Sequence, residues 1–143
     1  MRKSDSDVVS VLKADGVENV NWEQLTQFEN TPSINLEEIR EKLGMGSWAA
    51  RIAYNDVFGG VVLQQQPGEG NRKHMHPDAD ENWVILDGEW EWWIDGIGTS
   101  RVKTNDIIVV PKQTWHQITC IGDFPGVRYA VTKPDVLHRY KDA

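Results

Sequence analysis

Three residues of metal-binding types, His74, His76 and Glu81, lie close together in the middle of the chain. If the two histidines lie on one strand, the alternation of side chains places both imidazoles on the same face. A carboxylate just past a short turn can then meet them, and His116 offers a further imidazole downstream. This combination of residue types and spacing predicts a metal site inside a β-structure.

Most of the chain predicts β-strands that would carry these side chains. Short stretches of β-favouring residues follow one another, separated by Gly, Pro, Asn and Asp. The predicted strands cover residues 48–54, 60–66, 73–76, 82–86, 90–94, 100–103, 106–110, 114–120 and 128–132. Many short strands at even spacing are typical of a β-sandwich or β-barrel.

The first part of the chain predicts one helix, over residues 35–43. Asn35 is placed as the N-cap, Glu38 would complete a capping box, and Gly44 stands where a C-terminal glycine is expected. Residues 8–12 are compatible with either an edge strand or a short helix. Residues 1–143 are therefore interpreted as one domain, with an N-terminal arm over 1–46, a barrel over 47–134 and a polar tail over 135–143. His138, in that tail, is interpreted as an ordinary surface histidine.

Composition narrows the class of protein. The 143 residues suit one domain, and 39% hydrophobic with 26% charged residues is typical of a globular protein. The net charge is −7 and no basic patch is visible, so neither nucleic acid nor a membrane is expected as a partner. Cys120 is the single cysteine, which excludes an intrachain disulfide and a cysteine-rich zinc module. The polar N-terminus and short apolar runs predict a cytoplasmic protein.

The candidate ligands belong to a pattern that resembles the first sequence motif of the cupin superfamily. That motif runs Gly, five residues, His-x-His, three or four residues, Glu, six residues, Gly. Gly68, His74, His76, Glu81 and Gly88 fit this spacing without adjustment. The match is specific because it fixes several residue identities at once.

A second cupin motif is present in weaker form. Pro111 and His116 occupy their expected positions, whereas Asn105 and Gln113 stand where glycines are expected and Cys120 replaces an asparagine. Asparagine tolerates a positive φ, and glutamine does so less readily. The missing asparagine concerns a secondary polar contact and not the metal ligands.

The resemblance implies an all-β fold, a double-stranded β-helix or jelly-roll barrel, here with a short N-terminal helix. It implies that His74, His76, Glu81 and His116 are the four ligands of one divalent transition metal. Iron is favoured if the protein is an oxygenase, and Zn, Mn, Ni, Co and Cu are the alternatives. The resemblance also implies a homodimer and a small-molecule substrate.

The inward faces of the strands supply candidate substrate contacts. Trp83 shares a face with Glu81, so it is expected either to wall a substrate pocket or to fill the core. Gln65 could orient a polar ligand group or end a strand in solvent, and Ile118 shares the inward face of His116. Glu81 itself is expected to be either a permanent ligand or a catalytic general base.

The expected function is that of a metal-dependent enzyme. Imidazole and carboxylate donors suit divalent transition metals, and open coordination positions distinguish a catalytic from a structural site. The first hypothesis is an oxygenase or dioxygenase that acts on a small oxygen-bearing molecule. The alternatives are a non-redox Zn or Mn lyase, isomerase, decarboxylase or cyclase, and a metal-containing module that binds a small ligand without turnover.

Overall fold

Two antiparallel sheets form the body of the molecule. The structure is a computed structural model that describes residue 17 and residues 21–141, so residues 8–12 lie outside the described part. Within that part there are two helices and ten strands. They are α1 (Trp22–Thr26), α2 (Leu36–Leu43), β1 (Trp48–Tyr54), β2 (Gly59–Gln65), β3 (His74–Met75), β4 (Glu81–Asp87), β5 (Glu89–Ile94), β6 (Gly98–Lys103), β7 (Ile107–Val110), β8 (His116–Ile121), β9 (Gly126–Thr132) and β10 (Arg139–Tyr140).

The strand order shows how the chain winds. One sheet has the order β1-β2-β9-β4-β7 and the other the order β10-β3-β8-β5-β6. From β2 onward, most connections take the chain from one sheet to the other. This winding is that of a double-stranded β-helix, and it confirms the predicted all-β jelly roll.

The predicted strands agree with the observed ones to within about two residues at each end. The helix predicted over 35–43 is also confirmed: the Asn35 side chain accepts from the Glu38 N–H at 2.9 Å, and Gly44 ends the helix with a φ of 85°. Helix α1 was not predicted. Among the described residues, no helix has the length and apolar character needed to cross a membrane.

In the sheet that contains β1, strands β1, β2 and β9 are buried on both faces, which explains why these three strands lack clean alternation. Its inner face contributes to a core between the two sheets that includes Trp83, Trp90 and Trp92. Its outer face is covered by helix α2 through Ile39, which packs with Trp48. All three of these tryptophans are buried.

The segment interpreted from the sequence as a polar tail, residues 135–143, contains a short strand that was not predicted. Arg139 and Tyr140 form β10 and pair with Met75 and His74 of β3. A strand of two residues has no alternating pattern to recognise, because pairing to a neighbour, and not local sequence, holds it in place.

The atypical second motif keeps its backbone conformation. Asn105 has a φ of 77° and Gln113 a φ of 62°, so both residues occupy the left-handed region in which glycine is expected. The backbone N–H of Gln113 donates to the carbonyl oxygen of His76 at 2.8 Å. The turn before β8 therefore supports the segment that carries a candidate ligand.

Candidate metal centre

Three imidazoles meet at the open edge of the space between the sheets. His74 on β3 is the direct cross-strand partner of His116 on β8, and His76 follows β3 on the same face. The ring centres are 4.2 Å apart for His74 and His116, 5.0 Å for His74 and His76, and 5.4 Å for His76 and His116. All three side chains are buried.

Glu81 reaches the same point from β4 in the opposite sheet. One carboxylate oxygen lies 3.4 Å from Nε2 of His76, and the other lies 3.5 Å from Nε2 of His116. Three of the four sequence-predicted ligands, His76, Glu81 and His116, thus offer donor atoms within 4.8 Å of one another, whereas His74 lies beside them and shares a second such group with His76.

Backbone carbonyl oxygens orient the three rings. Each Nδ1 lies at hydrogen-bond distance from a carbonyl oxygen: 2.8 Å for His74 and Arg72, 2.9 Å for His76 and Leu137, and 2.9 Å for His116 and Thr114. A carbonyl oxygen only accepts, so each Nδ1 carries the proton and donates it. The Nε2 lone pair of each ring then faces the cluster, as a metal ligand requires.

His116 provides a direct test of whether the residues fit a metal ion. Its Nε2 atom is buried and has no hydrogen-bond partner among the described residues. Leaving a buried polar atom unsatisfied costs about 1–3 kcal/mol, which an ion at this position would offset. The donor types and their orientation therefore fit a divalent transition metal.

The charge of Glu81 is set by its surroundings. Burial alone would raise the pKa of this carboxyl group, but when the His116 and His76 rings are protonated, hydrogen bonds and charge interactions with them outweigh burial and hold the pKa well below its ordinary range. The indole Nε1 of Trp83 donates to the same carboxylate at 2.5 Å. A carboxylate of low pKa is a good ligand and a weak base, which favours the ligand role over that of general base; both remain predictions.

His138 is the site residue that the sequence interpretation missed. It is half-buried, its ring lies 4.5 Å from that of His76 and 5.3 Å from that of His74, and the three offer donor atoms within 4.8 Å of one another. The interpretation as an ordinary surface histidine is therefore wrong. The available signal was weak: a histidine two positions before Tyr140, in a segment otherwise rich in charge.

A cavity of about 130 Å³ opens beside the cluster. His74, Glu81 and His138 form one side of it, and the remaining wall is largely apolar. Trp83 lines the cavity as expected, together with Val61, Leu63 and Ala130. Gln65 and Ile118 are fully buried but are not part of the wall that the described residues form, so their substrate contacts remain predictions.

The cavity also contains a buried cation. Arg128 of β9 is fully buried, its Nη2 donates to Oε1 of Gln65 at 2.8 Å, and its guanidinium carbon lies 4.4 Å from the centre of the Trp83 ring. Gln65 thus orients the guanidinium. Arg51 lines the cavity as well, but it forms an ion pair with Glu29 at 2.7 Å.

Comparison with known proteins identifies relatives of this fold. The family model described as Cupin domain matches residues 61–140, more than half of the chain. A curated relative, the uncharacterized protein YdbB of Bacillus subtilis (strain 168), is 39% identical over 44 residues. That match covers 31% of this chain and only 39% of the relative's own length.

Solved structures show the same architecture at low sequence identity. An uncharacterized conserved protein with a double-stranded β-helix domain from Klebsiella pneumoniae has a TM-score of 0.59 at 20% identity, with 66% of this chain and 83% of that chain covered. Oxalate decarboxylase from Bacillus subtilis, described with Mn(II) centres, has a TM-score of 0.56 at 21% identity, with coverages of 61% and 24%. At these identities the likeness shows the fold alone.

Proposed function

The chain belongs to the cupin family, and from that premise we propose that it is a metal-dependent enzyme acting on a small anionic molecule by non-redox chemistry. The reaction class is that of a lyase, isomerase or decarboxylase. The candidate ligands His74, His76, Glu81 and His116 are called the His/Glu cluster below. The observation that carries the proposal is that the buried Arg128 lines the same small cavity as His74 and Glu81 of this cluster.

Arg128 is suited to hold the anionic group of a substrate. A guanidinium binds carboxylates and phosphates through paired, planar N–H donors, and such bonds are stronger inside a protein than in water. Gln65 fixes the orientation of this guanidinium, and Trp83 supports its face. The cavity volume of about 130 Å³ limits the part of the substrate inside it to roughly ten heavy atoms.

The cluster supplies the second half of the proposed chemistry. His74, His76, Glu81 and His116 would hold the ion, which when bound acts as a Lewis acid that stabilises negative charge developing on a substrate oxygen. Trp83 contributes twice, because its ring excludes water from the cavity and its N–H holds Glu81 in place. Arg128 positions the substrate against this centre.

Oxalate decarboxylase is an example of such chemistry on the same fold. That protein is named for a reaction on oxalate, a small dicarboxylate, and is described with Mn(II) centres. A small carboxylate and a divalent ion are the two components that Arg128 and the His/Glu cluster would bind here.

An oxygenase is the second candidate. His76, Glu81 and His116 form a group of two imidazoles and one carboxylate, which is the donor combination of many non-haem iron oxygenases. The apolar wall that includes Trp83 would also protect reactive intermediates from water.

One set of assays separates the candidates. Elemental analysis of protein purified without chelator identifies the ion. Protein loaded with Mn²⁺, Zn²⁺ or Fe²⁺ is then incubated with small hydroxy acids, keto acids, dicarboxylates and sugar phosphates, and substrate loss is followed by NMR with and without oxygen. Oxygen-independent turnover that is lost in His76→Ala supports the proposal, and strictly oxygen-dependent turnover supports the oxygenase. A compound that raises the melting temperature but is not turned over with or without oxygen would instead indicate a binding module.

The anionic substrate class has its own test. Arg128→Lys retains a positive charge but loses the paired donors, so KM for the anionic substrate should rise by about tenfold or more. Arg101→Lys is the matched control, because Arg101 is exposed on β6, away from the cavity. An unchanged KM in Arg128→Lys would remove Arg128 from the proposed binding site.

A further inference from the structure

We propose that His138 is an additional ligand of the same metal ion, so that the centre is held by four imidazoles and one carboxylate. The inference rests on the proposed metal centre and extends it beyond the residues of the two sequence motifs. His138 comes from the segment between β9 and β10, which neither motif includes.

The position of His138 carries the proposal. Its ring meets the His76 ring edge-on at 4.5 Å and lies stacked beside the His74 ring at 5.3 Å. The three residues offer donor atoms that all lie within 4.8 Å of one another, as His76, Glu81 and His116 also do. Two candidate groups of ligands therefore lie side by side and share His76.

The shared residue indicates one ion and not two. The Nδ1 atoms of His74 and His76 donate to backbone carbonyl oxygens, so each ring has only Nε2 left as a donor. A single nitrogen lone pair binds a single ion. Because His76 has one free nitrogen to offer, the two groups cannot hold separate ions at the same time. The five donor atoms do not form one group within 4.8 Å in this structure, so an ion held by all five would draw the two groups closer together.

The segment around His138 is anchored at this position by several contacts. The Tyr140 ring lies 6.1 Å from that of His138, and the Arg72 guanidinium lies 4.1 Å from the centre of the Tyr140 ring. The backbone N–H of Lys141 donates to the Lys73 carbonyl oxygen at 3.1 Å. The carbonyl oxygen next to His138, that of Leu137, accepts the hydrogen bond that orients His76. The same segment thus orients one ligand and presents another.

A fifth donor changes what the centre can bind. On a six-coordinate ion, four protein donors leave two positions, whereas five leave one. One position admits one substrate atom, and the rest of the molecule would then depend on Arg128. This arrangement agrees better with the proposed non-redox chemistry than with joint binding of a substrate and O₂.

The test is a Co²⁺ titration of the full-length apoprotein. Wild-type protein should bind one equivalent, and His138→Ala should bind it on the order of tenfold to a hundredfold more weakly, since even outer-shell changes have effects of this size. Added imidazole should restore much of the affinity and the Co²⁺ absorption spectrum, because it can replace the lost donor. Arg139→Gln is the matched control: its side chain is exposed and adjacent, and its affinity should equal that of wild type.

The outcomes are distinguishable. His138→Gln retains the size of the side chain, and should match His138→Ala in affinity if His138 is a ligand. Equal affinity and an identical Co²⁺ spectrum in wild type and both His138 variants would overturn the fifth ligand while leaving the metal centre intact. Binding of two equivalents by wild type would also overturn it. Failure of the wild type to bind Co²⁺, Mn²⁺, Zn²⁺ or Fe²⁺ would overturn the proposed function itself.

Discussion

At the level of single residues, the orientation of the imidazoles comes from the backbone. Carbonyl oxygens accept from Nδ1 of His74, His76 and His116, and this leaves each Nε2 toward the cluster. Glu81 is oriented by a side chain instead, through the indole of Trp83. Trp83 is thus both a wall of the cavity and a support of the centre.

Replacement of Trp83 by phenylalanine isolates the supporting role. Trp83→Phe retains an aromatic wall but removes the N–H donor to Glu81, so metal affinity should fall by on the order of tenfold. Competition titration with a chromogenic chelator measures the effect. Trp92→Phe is the control, since the Trp92 ring packs 5.4 Å from that of Trp83 and its Nε1 has no hydrogen-bond partner among the described residues. Equal losses in both variants would assign the effect to packing.

The pH dependence of metal binding should follow the imidazoles and not Glu81. The folded-state pKa of Glu81 is depressed from an ordinary value of 4.5, so its stabilising interactions are present above that value and are lost only as the pH falls through the lower folded pKa. Glu81 therefore stays ionised from about pH 8 to about pH 5, whereas histidines gain protons in that range and can then no longer bind an ion.

Metal titrations at a series of pH values check this expectation. Affinity should fall as the pH is lowered, and Glu81→Gln should weaken binding at every pH without changing the slope. A slope that becomes shallower in Glu81→Gln would show that the carboxylate takes up a proton in this range.

At the level of elements, the turn between β7 and β8 carries a local cost. Gln113 has a φ of 62°, a conformation that costs a residue other than glycine about 1–2 kcal/mol. A hydrogen bond from the Gln113 N–H to the His76 carbonyl oxygen stabilises this conformation. The same turn places His116 at the start of β8.

Relief of this strain should stabilise the protein. Gln113→Gly retains the backbone N–H, so the free energy of unfolding should rise by a few tenths to about 1 kcal/mol, part of the gain being offset by a more flexible unfolded chain. Urea denaturation of the apoprotein measures it. Lys112→Gly, one residue earlier and not at a positive φ, should instead destabilise by up to about 1 kcal/mol. Similar destabilisation by both changes would show that the turn carries no strain.

At the level of the whole molecule, the metal is expected to act on a fold that forms without it. The described residues of this jelly roll form two cores, and a chain of 143 residues is long enough to bury the apolar surface that independent stability requires. The expected homodimer remains a prediction. Ile107 and Val109, which are 67% and 61% exposed on the edge strand β7, are candidates for such a contact.

Metal binding should raise the melting temperature reversibly. At a hundredfold excess over Kd, a ligand of the folded state adds about 2.7 kcal/mol to the free energy of unfolding, which corresponds to roughly 10 °C for a domain of this size. Calorimetry with and without EDTA measures the shift, and light scattering gives the subunit number of the same samples. A chelated protein that shows no folded circular-dichroism spectrum would contradict an independent fold.

The amino-acid sequence by itself determined the strand succession, helix α2 and the four motif residues that are the candidate ligands. These depend on local signals: alternation, a capping box and a spaced set of residue types. The positions of Arg128 and His138 beside these residues were decided only by the tertiary structure. The direction of the Arg128 side chain could not be predicted, because β9 is buried on both faces and hydrophobic alternation no longer reveals which side points inward. His138 reaches the cluster because a two-residue strand pairs with β3, and that pairing is a long-range contact without a local sequence signature.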